Sequence, residues 1–300
     1  IRDVIRDWSS DVCSSDLKEN SMATLIQLMQ NLLAQKDPLL PNDTKRVILK
    51  EFLQGYALDF LYNHPAYRRL NFYGGTCLHV IYNPNRMSED LDLDNSNEID
   101  LSSLENDLLI YFRSTIGYGE IVAKTQIGEG GIRRITLKFP VLYSLGLTRY
   151  PNESLYLKVE VSQHKQISII RRTPVLLYGR SFVAAHFSLE TMMAGKMLAC
   201  LDRNFQTGKV SSIKGRDFYD LLWFMQQRIQ PLEEKLAKDG KQPYTVQSAM
   251  QILSEKISKL KKEDLAEDLL PLFEQRTFIE AWLESFNENF GEYVKYYLQK

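Results

Sequence analysis

The chain has 300 residues, with 37 Lys+Arg against 38 Asp+Glu for a formal net charge of −1, and 44% of its side chains are hydrophobic. That length can bury a sizeable core in one large domain or two smaller ones, and near-neutrality excludes a bulk polycation that holds nucleic acid by charge alone. No apolar run approaches the ~20 residues of a membrane-spanning helix, and three scattered cysteines, Cys13, Cys77 and Cys200, argue against a disulfide framework or a cysteine zinc site and fit a reducing cytoplasm.

The first residues stand apart. Residues 7–17, DWSSDVCSSDL, carry neither helical nor strand periodicity and resemble one reading frame of a sequencing-library adapter. Residues 1–17 are therefore read as a non-native tail, with a disordered native tail as the alternative. Next, Leu25, Ile26, Leu28, Met29, Leu32 and Leu33 predict a helix over 22–35, and Asn42 and Asp43 can cap a second over 43–63. A short strand over 70–73 leads into Gly74-Gly75-Thr76, with a helix starting near Cys77. Residues 90–94 alternate acid and leucine as a strand does, and a helix follows over 101–114. The run Gly128-Glu129-Gly130-Gly131 joins strands 120–126 and 132–139 into a hairpin.

Residues 155–162 alternate again, with Leu155, Leu157, Val159 and Val161 on one side and Tyr156, Lys158 and Glu160 on the other. One more strand is predicted over 173–178. From Ser181 the pattern turns helical, over 188–202, 217–227 and on to the C-terminal end. This divides the chain into an α/β sheet domain, residues 18–180, and a helical domain, residues 181–300. Trp282, Phe286, Phe290, Tyr293, Tyr296 and Tyr297 recur at helical spacing and read as core, with base stacking as the functional alternative. His64, His79, His164 and His186 show no ligand spacing.

The chemistry concentrates between Gly74 and Asp94. On a strand, Asp90, Asp92 and Asp94 share one face, neighbours roughly 7 Å apart, while Leu91 and Leu93 face the other way. Such carboxylates repel unless a cation neutralises them, and an oxygen-only set suits Mg²⁺ or Mn²⁺ rather than zinc. An edge strand that carries charge against aggregation would look the same. Gly74-Gly75-Thr76 before a helix offers backbone N–H groups and a hydroxyl to a phosphate. Lys158 and Glu160 share a strand face, where they serve either as a base and a third carboxylate or as a cross-strand ion pair. Lys196, Ala199 and Arg203 share a helix face, and Arg216-Asp217 opens a further helix, where Asp217 and Asp220 also serve as dipole-compensating acids.

Taken in order, Gly-Gly-Thr-x-Leu, Arg86-x-Ser88-x-Asp-Leu-Asp-Leu, Lys-x-Glu, Lys-x-x-Ala-x-x-x-Arg and Arg-Asp-x-Tyr-Asp-Leu resemble the AbiEii/AbiGii-type nucleotidyltransferase toxins of the DNA polymerase β-like superfamily. The resemblance spans about half of the chain. It implies an α+β fold, a nucleotidyltransferase-like mixed sheet flanked by helices with a helical C-terminal domain. It implies an enzyme that moves a nucleotide monophosphate from an NTP to an acceptor hydroxyl, in some members the 3′ end of tRNA, as the toxin of a type IV toxin–antitoxin or abortive-infection system. On this chain the implied metal ligands are Asp90, Asp92 and Glu160, binding Mg²⁺ or Mn²⁺. Lys196 and Asp217 complete the implied catalytic set, and Gly74, Gly75, Thr76, Arg86, Ser88, Lys158, Arg203 and Arg216 are implied nucleotide contacts. An NTP, an RNA acceptor and a cognate antitoxin are the implied partners. Two departures stand out: Glu160 occupies a position where aspartate is common, and Asp94 adds an acid. The alternatives are a catalytically silent scaffold that binds RNA or a partner, and an enzyme that modifies a protein or small molecule.

Overall fold

The computed structural model describes residues 24–163, 165–202 and 214–299. The expected N-terminal tail, Cys13, His164 and Arg203 lie outside them. Helix α1 (Leu25–Ala34) starts at a capping box in which Thr24 Oγ1 accepts from Gln27 N and Gln27 Oε1 accepts from Thr24 N, satisfying two of the donors a helix start leaves open. Helix α2 (Asn42–Asn63) is buried along most of its length, and Leu49, Leu53, Ala57 and Leu61 are fully buried. It lies across the sheet against β5 and β7, two strands described next.

Seven strands form one mixed sheet: β1 (Asn71–Tyr73), β2 (Leu91–Asp94), β3 (Val122–Ile127), β4 (Arg133–Phe139), β5 (Leu155–Ser162), β6 (Ile170–Leu177) and β7 (Arg180–Phe187). Their spatial order is β3-β4-β5-β2-β1-β7-β6. The pairs β1–β7 and β2–β5 are parallel, and the others are antiparallel. Strict alternation explains three adjacent strands, β4, β5 and β2. Leu91 and Leu93, Ile135 and Leu137, and Leu157, Val159 and Val161 are fully buried on one face, each contributing about 1.5–3 kcal/mol on burial. The opposite face carries Asp92, Arg134, Lys158 and Glu160. Period-2 geometry thus builds core and site from the same strands.

Helix α3 (Gly74–Tyr82) follows β1 without a connecting loop. Helix α4 (Leu104–Ile110) continues into a π-helical turn, Tyr111–Thr115. Beyond the sheet come α5 (Leu189–Asp202), α6 (Gly215–Gln226), α7 (Glu233–Lys238), α8 (Val246–Ile257), α9 (Lys262–Leu269) and α10 (Arg276–Leu298). The C-terminal aromatic stripe is core: Phe286 and Phe290 are 2% exposed, and Phe286 meets Phe218 of α6 edge-on. Cys77 and Cys200 are buried.

Two sequence expectations change. The sheet does not end at residue 180, because β7 extends it to Phe187 between β1 and β6. Its sequence, RSFVAAHF, carries two alanines of low strand propensity, so it merges with the helical pattern after it. The hairpin that makes it turns at Tyr178-Gly179, both at positive φ, and pairs Leu177 with Arg180. The helix expected from Cys77 instead begins at Gly74, so the two glycines form its first turn.

Candidate active site

The site is built where β1 ends and β2 begins. Asp92 lies beside Tyr73 of β1 on one side and beside Glu160 of β5 on the other. Because β2 and β5 run parallel and in register, the Asp92 and Glu160 side chains project from the same face. Glu160 is in turn paired with Arg134 of β4, whose Nε donates to Glu160 Oε1 at 2.5 Å. Asp90, just before β2, sits 3.9 Å from Lys158 Nζ. These groups line an open polar cleft of about 630 Å³, which Gly75, Ser88, Glu89, Lys196, Lys214 and Arg216 also border.

The glycines are there for space. Gly74 has φ +79°, and a Cβ on it would lie 2.2 Å from Asp92 Oδ2, so any side chain would displace that carboxylate or unwind the turn. A Cβ on Gly75 would lie 2.9 Å from both Arg86 Nη2 and Ser88 Oγ. Two bare backbone positions therefore let the N-terminus of α3, with its positive end of the helix dipole, close on the acidic strand.

Burial shapes the acids. Asp92 is raised to about 7, first by loss of water and then by the nearby charges of Asp90 and Glu160. Asp90 is also raised by burial, against the pull of Lys158. Glu89 goes the other way: burial is outweighed by Lys50, at 2.6 Å, and Arg216. Two crowded carboxyls that resist ionising, with oxygen donors alone, fit a divalent cation of the Mg²⁺ type. The pairing of Glu160 with Arg134 does not support the expected third ligand. Among the described residues, no group of three His, Cys, Asp or Glu side chains is gathered closely enough to hold an ion.

Behind the cleft lies a buried ionic network. The Arg86 guanidinium, with no exposed side-chain surface, donates from Nε and Nη2 to the two oxygens of Asp220 at 2.5 and 2.6 Å. Lys196 Nζ reaches Asp220 Oδ2 and Asp217 Oδ1, both at 2.8 Å. Burial works against the Lys196 charge, but Asp217 and Asp220 outweigh it and push the ammonium up to about 12. A bidentate, fully satisfied buried pair fixes geometry more than it adds stability. Here it ties α5 and α6 to the segment before β2.

The structure brings together Asp90, Asp92, Gly75, Ser88, Lys158, Glu160, Lys196 and Arg216 at the cleft. It corrects two expected nucleotide contacts. Thr76 is fully buried, and its hydroxyl donates to the Asp90 carbonyl at 2.5 Å, pinning the strand entry instead of facing a phosphate. Arg86 is sealed behind Gly75 and bonded to Asp220. Asp217, 5% exposed, likewise supports Lys196. Asp94 points into the interior, where Oδ2 accepts from Asn71 and Ser96. Arg134 carries no signal in the sequence, because its place beside Glu160 depends on strand order.

The seven-stranded mixed sheet flanked by helices is a nucleotidyltransferase-like fold. The model of the family described as "Nucleotidyl transferase AbiEii toxin, Type IV TA system" matches residues 59–297, and the chain belongs to that family. It is therefore a nucleotidyltransferase. A solved Helicobacter pylori protein assigned as a nucleotidyltransferase is similar in fold, with TM-score 0.52 and 20% identity over 85% of this chain and 95% of that one. A second Helicobacter pylori structure gives TM-score 0.47 and 19% identity over 85% of this chain and 92% of that one. No curated protein matches the sequence. No described helix is long and apolar enough to cross a membrane.

Proposed function

We propose that this chain transfers a nucleotide monophosphate from an NTP to the terminal hydroxyl of an RNA, tRNA being the favoured acceptor, with Mg²⁺, as a toxin held in check by a cognate antitoxin. One observation carries the reading: Asp90 and Asp92 stand in a polar cleft beside Glu160, at the mouth of a glycine-started helix and within reach of Lys196. Asp90 and Asp92 would hold the metal, which supplies charge neutralisation and acidifies an oxygen bound to it.

The protein's own groups divide the remaining work. Backbone N–H groups at Gly75, with Lys158, Lys214 and Arg216, bind the triphosphate oxygens, and positioning with charge neutralisation supplies most of the acceleration in phosphoryl transfer. Lys196 uses two of its three N–H groups on Asp217 and Asp220 and offers the third to a phosphate oxygen. The acceptor oxygen forms a bond to the α-phosphorus as the bond to the β-phosphate oxygen breaks and pyrophosphate leaves. The hydroxyl proton passes to Glu160, which Arg134 holds in position.

The solvent face of β3–β4–β5 supports an RNA acceptor. Lys124, Thr136 and Lys158 form one cross-strand row, and Val122, Lys138 and Tyr156 another, so lysines lead from the cleft along the sheet. Tyr156 is 45% exposed, with Lys138 Nζ 5.8 Å from its ring centre. Lysines beside an open aromatic ring suit a nucleic-acid backbone and an unstacked base.

The test is incubation with each labelled NTP, Mg²⁺ and total RNA, followed by sizing of the product, for the wild type and for Asp90→Asn and Asp92→Asn. Label in small RNA that both variants lose is expected. Undiminished labelling in both variants removes the mechanism, and label in protein or small solutes replaces the acceptor.

A further inference from the structure

A second space adjoins the polar cleft. It measures about 190 Å³ and is bounded by Tyr73 and Gly74 at the end of β1, Phe187 at the end of β7, Met192 and Ala199 on α5, and Phe224 on α6. Lys196 borders both this cavity and the cleft. The two spaces differ in chemistry. The cleft has five basic and four acidic side chains on its walls and no aromatic or aliphatic one. The cavity is mostly apolar, and its Tyr73 and Phe187 rings lie stacked, centres 5.1 Å apart and planes 24° apart.

A nucleoside triphosphate has the same two parts. Its phosphates are polyanionic and suit the cleft, where a flat heterocycle would find little apolar surface. The cavity is too small for a whole nucleotide by the usual scale of ligand pockets, roughly 300–1,000 Å³, but it is on the scale of one base. Gln166 on its wall hydrogen-bonds the Tyr73 hydroxyl and keeps one further N–H and one oxygen lone pair for a base edge. Gln166 Oε1 accepts from Lys235 Nζ at 3.2 Å, and Lys235, 4% exposed, is anchored at 2.7 Å by Asp239. Asp239 also accepts from the Ile167 backbone N–H at 3.1 Å, so the loop that carries Gln166 is tied to α7 at two points. Thr191, the other hydroxyl on the wall besides Tyr73, is already occupied by the Ile169 N–H and Ser188.

We propose that this cavity receives the base of the NTP whose phosphates lie in the cleft, and that Gln166, set by Lys235, reads the base edge and so helps to choose the nucleotide. The proposal rests on the nucleotidyltransferase reading above, and it assigns Gln166 a role in selectivity outside the chemistry.

The experiment separates base from phosphate by equilibrium titration, without turnover. The four standard NTPs and inorganic tripolyphosphate are titrated, with Mg²⁺, into the wild type, Ala199→Met and Gln166→Leu. Ala199→Met pushes three further heavy atoms into the cavity. It is expected to weaken its preferred NTP at least about tenfold, the scale of one lost base contact, while tripolyphosphate stays within about twofold, the spread of a distant substitution. Gln166→Leu is expected to change the ranking of the four NTPs by about two- to tenfold, the scale of a neutral hydrogen bond, again with tripolyphosphate unchanged.

Equal weakening of NTP and tripolyphosphate, or no weakening of either, overturns the base site. An unchanged ranking in Gln166→Leu overturns its role as reader. Photocrosslinking of the wild type with 4-thio-UTP and 8-azido-ATP needs no variant: crosslinks in peptides containing Tyr73, Gln166, Met192 or Phe224 are expected, and crosslinks confined elsewhere overturn the proposal. Binding with this pattern but without transfer of label would retain the base site and remove the transferase reading, whereas transfer with unaltered NTP ranking in both variants would do the reverse.

Discussion

Replacing Asp92 by Asn should stabilise the metal-free protein. The Asp92 carboxyl titrates at about 7 in the fold, against roughly 3.9 in an open chain. Below pH 4 it is protonated in both states and contributes no pH dependence. Between about 4 and 7 the unfolded chain ionises while the folded side chain keeps its proton, so stability falls as pH rises, and above 7 the loss is complete. A gap of about 3 pH units at about 1.4 kcal/mol each gives about 4 kcal/mol. Asp92 is only partly buried and opens to the cleft, so water screens some of this and about 2–4 kcal/mol is expected.

Urea unfolding in EDTA at pH 4 and pH 8 measures it. Wild type and Asp92→Asn should coincide at pH 4, and the variant should be the more stable by that margin at pH 8. Adding Mg²⁺ at pH 8 should raise the wild type and leave the variant nearly unmoved, because a ligand stabilises only the state that binds it. A variant less stable than wild type at pH 8 without metal would refute the reasoning, since it would make Asp92 a structural anion with a satisfied partner.

Gly74→Ala should cut transfer about 100-fold, the cost of misplacing a reacting group by about 1 Å, because its Cβ would meet Asp92 Oδ2; steady-state kinetics on the folded variant check this. Arg86→Ala should cost about 3 kcal/mol in urea unfolding, the low end for breaking a buried pair, because Asp220 keeps Lys196 as a partner, and Arg86→Met with Asp220→Leu, which leaves Lys196 paired with Asp217, should recover part of the loss. Lys196, raised to about 12 by Asp217 and Asp220 despite burial, keeps its proton at every accessible pH. Its pairing stabilises the fold up to the usual lysine range and weakens only as pH climbs toward 12. The pH profile of kcat/KM should accordingly show no lysine limb between pH 7 and 10, and Lys196→Met should lower the whole profile without changing its shape.

What was legible in the sequence follows the range of the interaction that encodes it. Local patterns were enough for β2 and β5, because alternation of Leu91, Asp92 and Leu93, and of Leu157 through Val161, is written in consecutive residues. They were also enough for the C-terminal aromatics, whose helical period marks a buried stripe. They failed at β7, where the strand is specified by its neighbours β1 and β6 instead of by its own alanines. The site divides along the same line. Asp90 and Asp92 announce themselves by type and spacing, whereas the roles of Thr76, Arg86 and Glu160 depend on what each meets across the fold: the Asp90 carbonyl, Asp220 and Arg134.

This division has a physical source. A group that must reach a substrate keeps open surface and unspent hydrogen-bonding capacity, and its charge is visible in the sequence as an anomaly, such as adjacent acids with no cation beside them. A group that holds such residues in place is chosen to cancel a partner's charge. Arg86 and Asp220 are 134 residues apart and are each unremarkable alone, so neither betrays the other. Motif reading collects both kinds under one label, and only burial and pairing separate them. In this fold the separation runs through Gly75: the open acids and cations stand on one side of its bare Cα, and the sealed Arg86–Asp220 pair that aims them lies on the other.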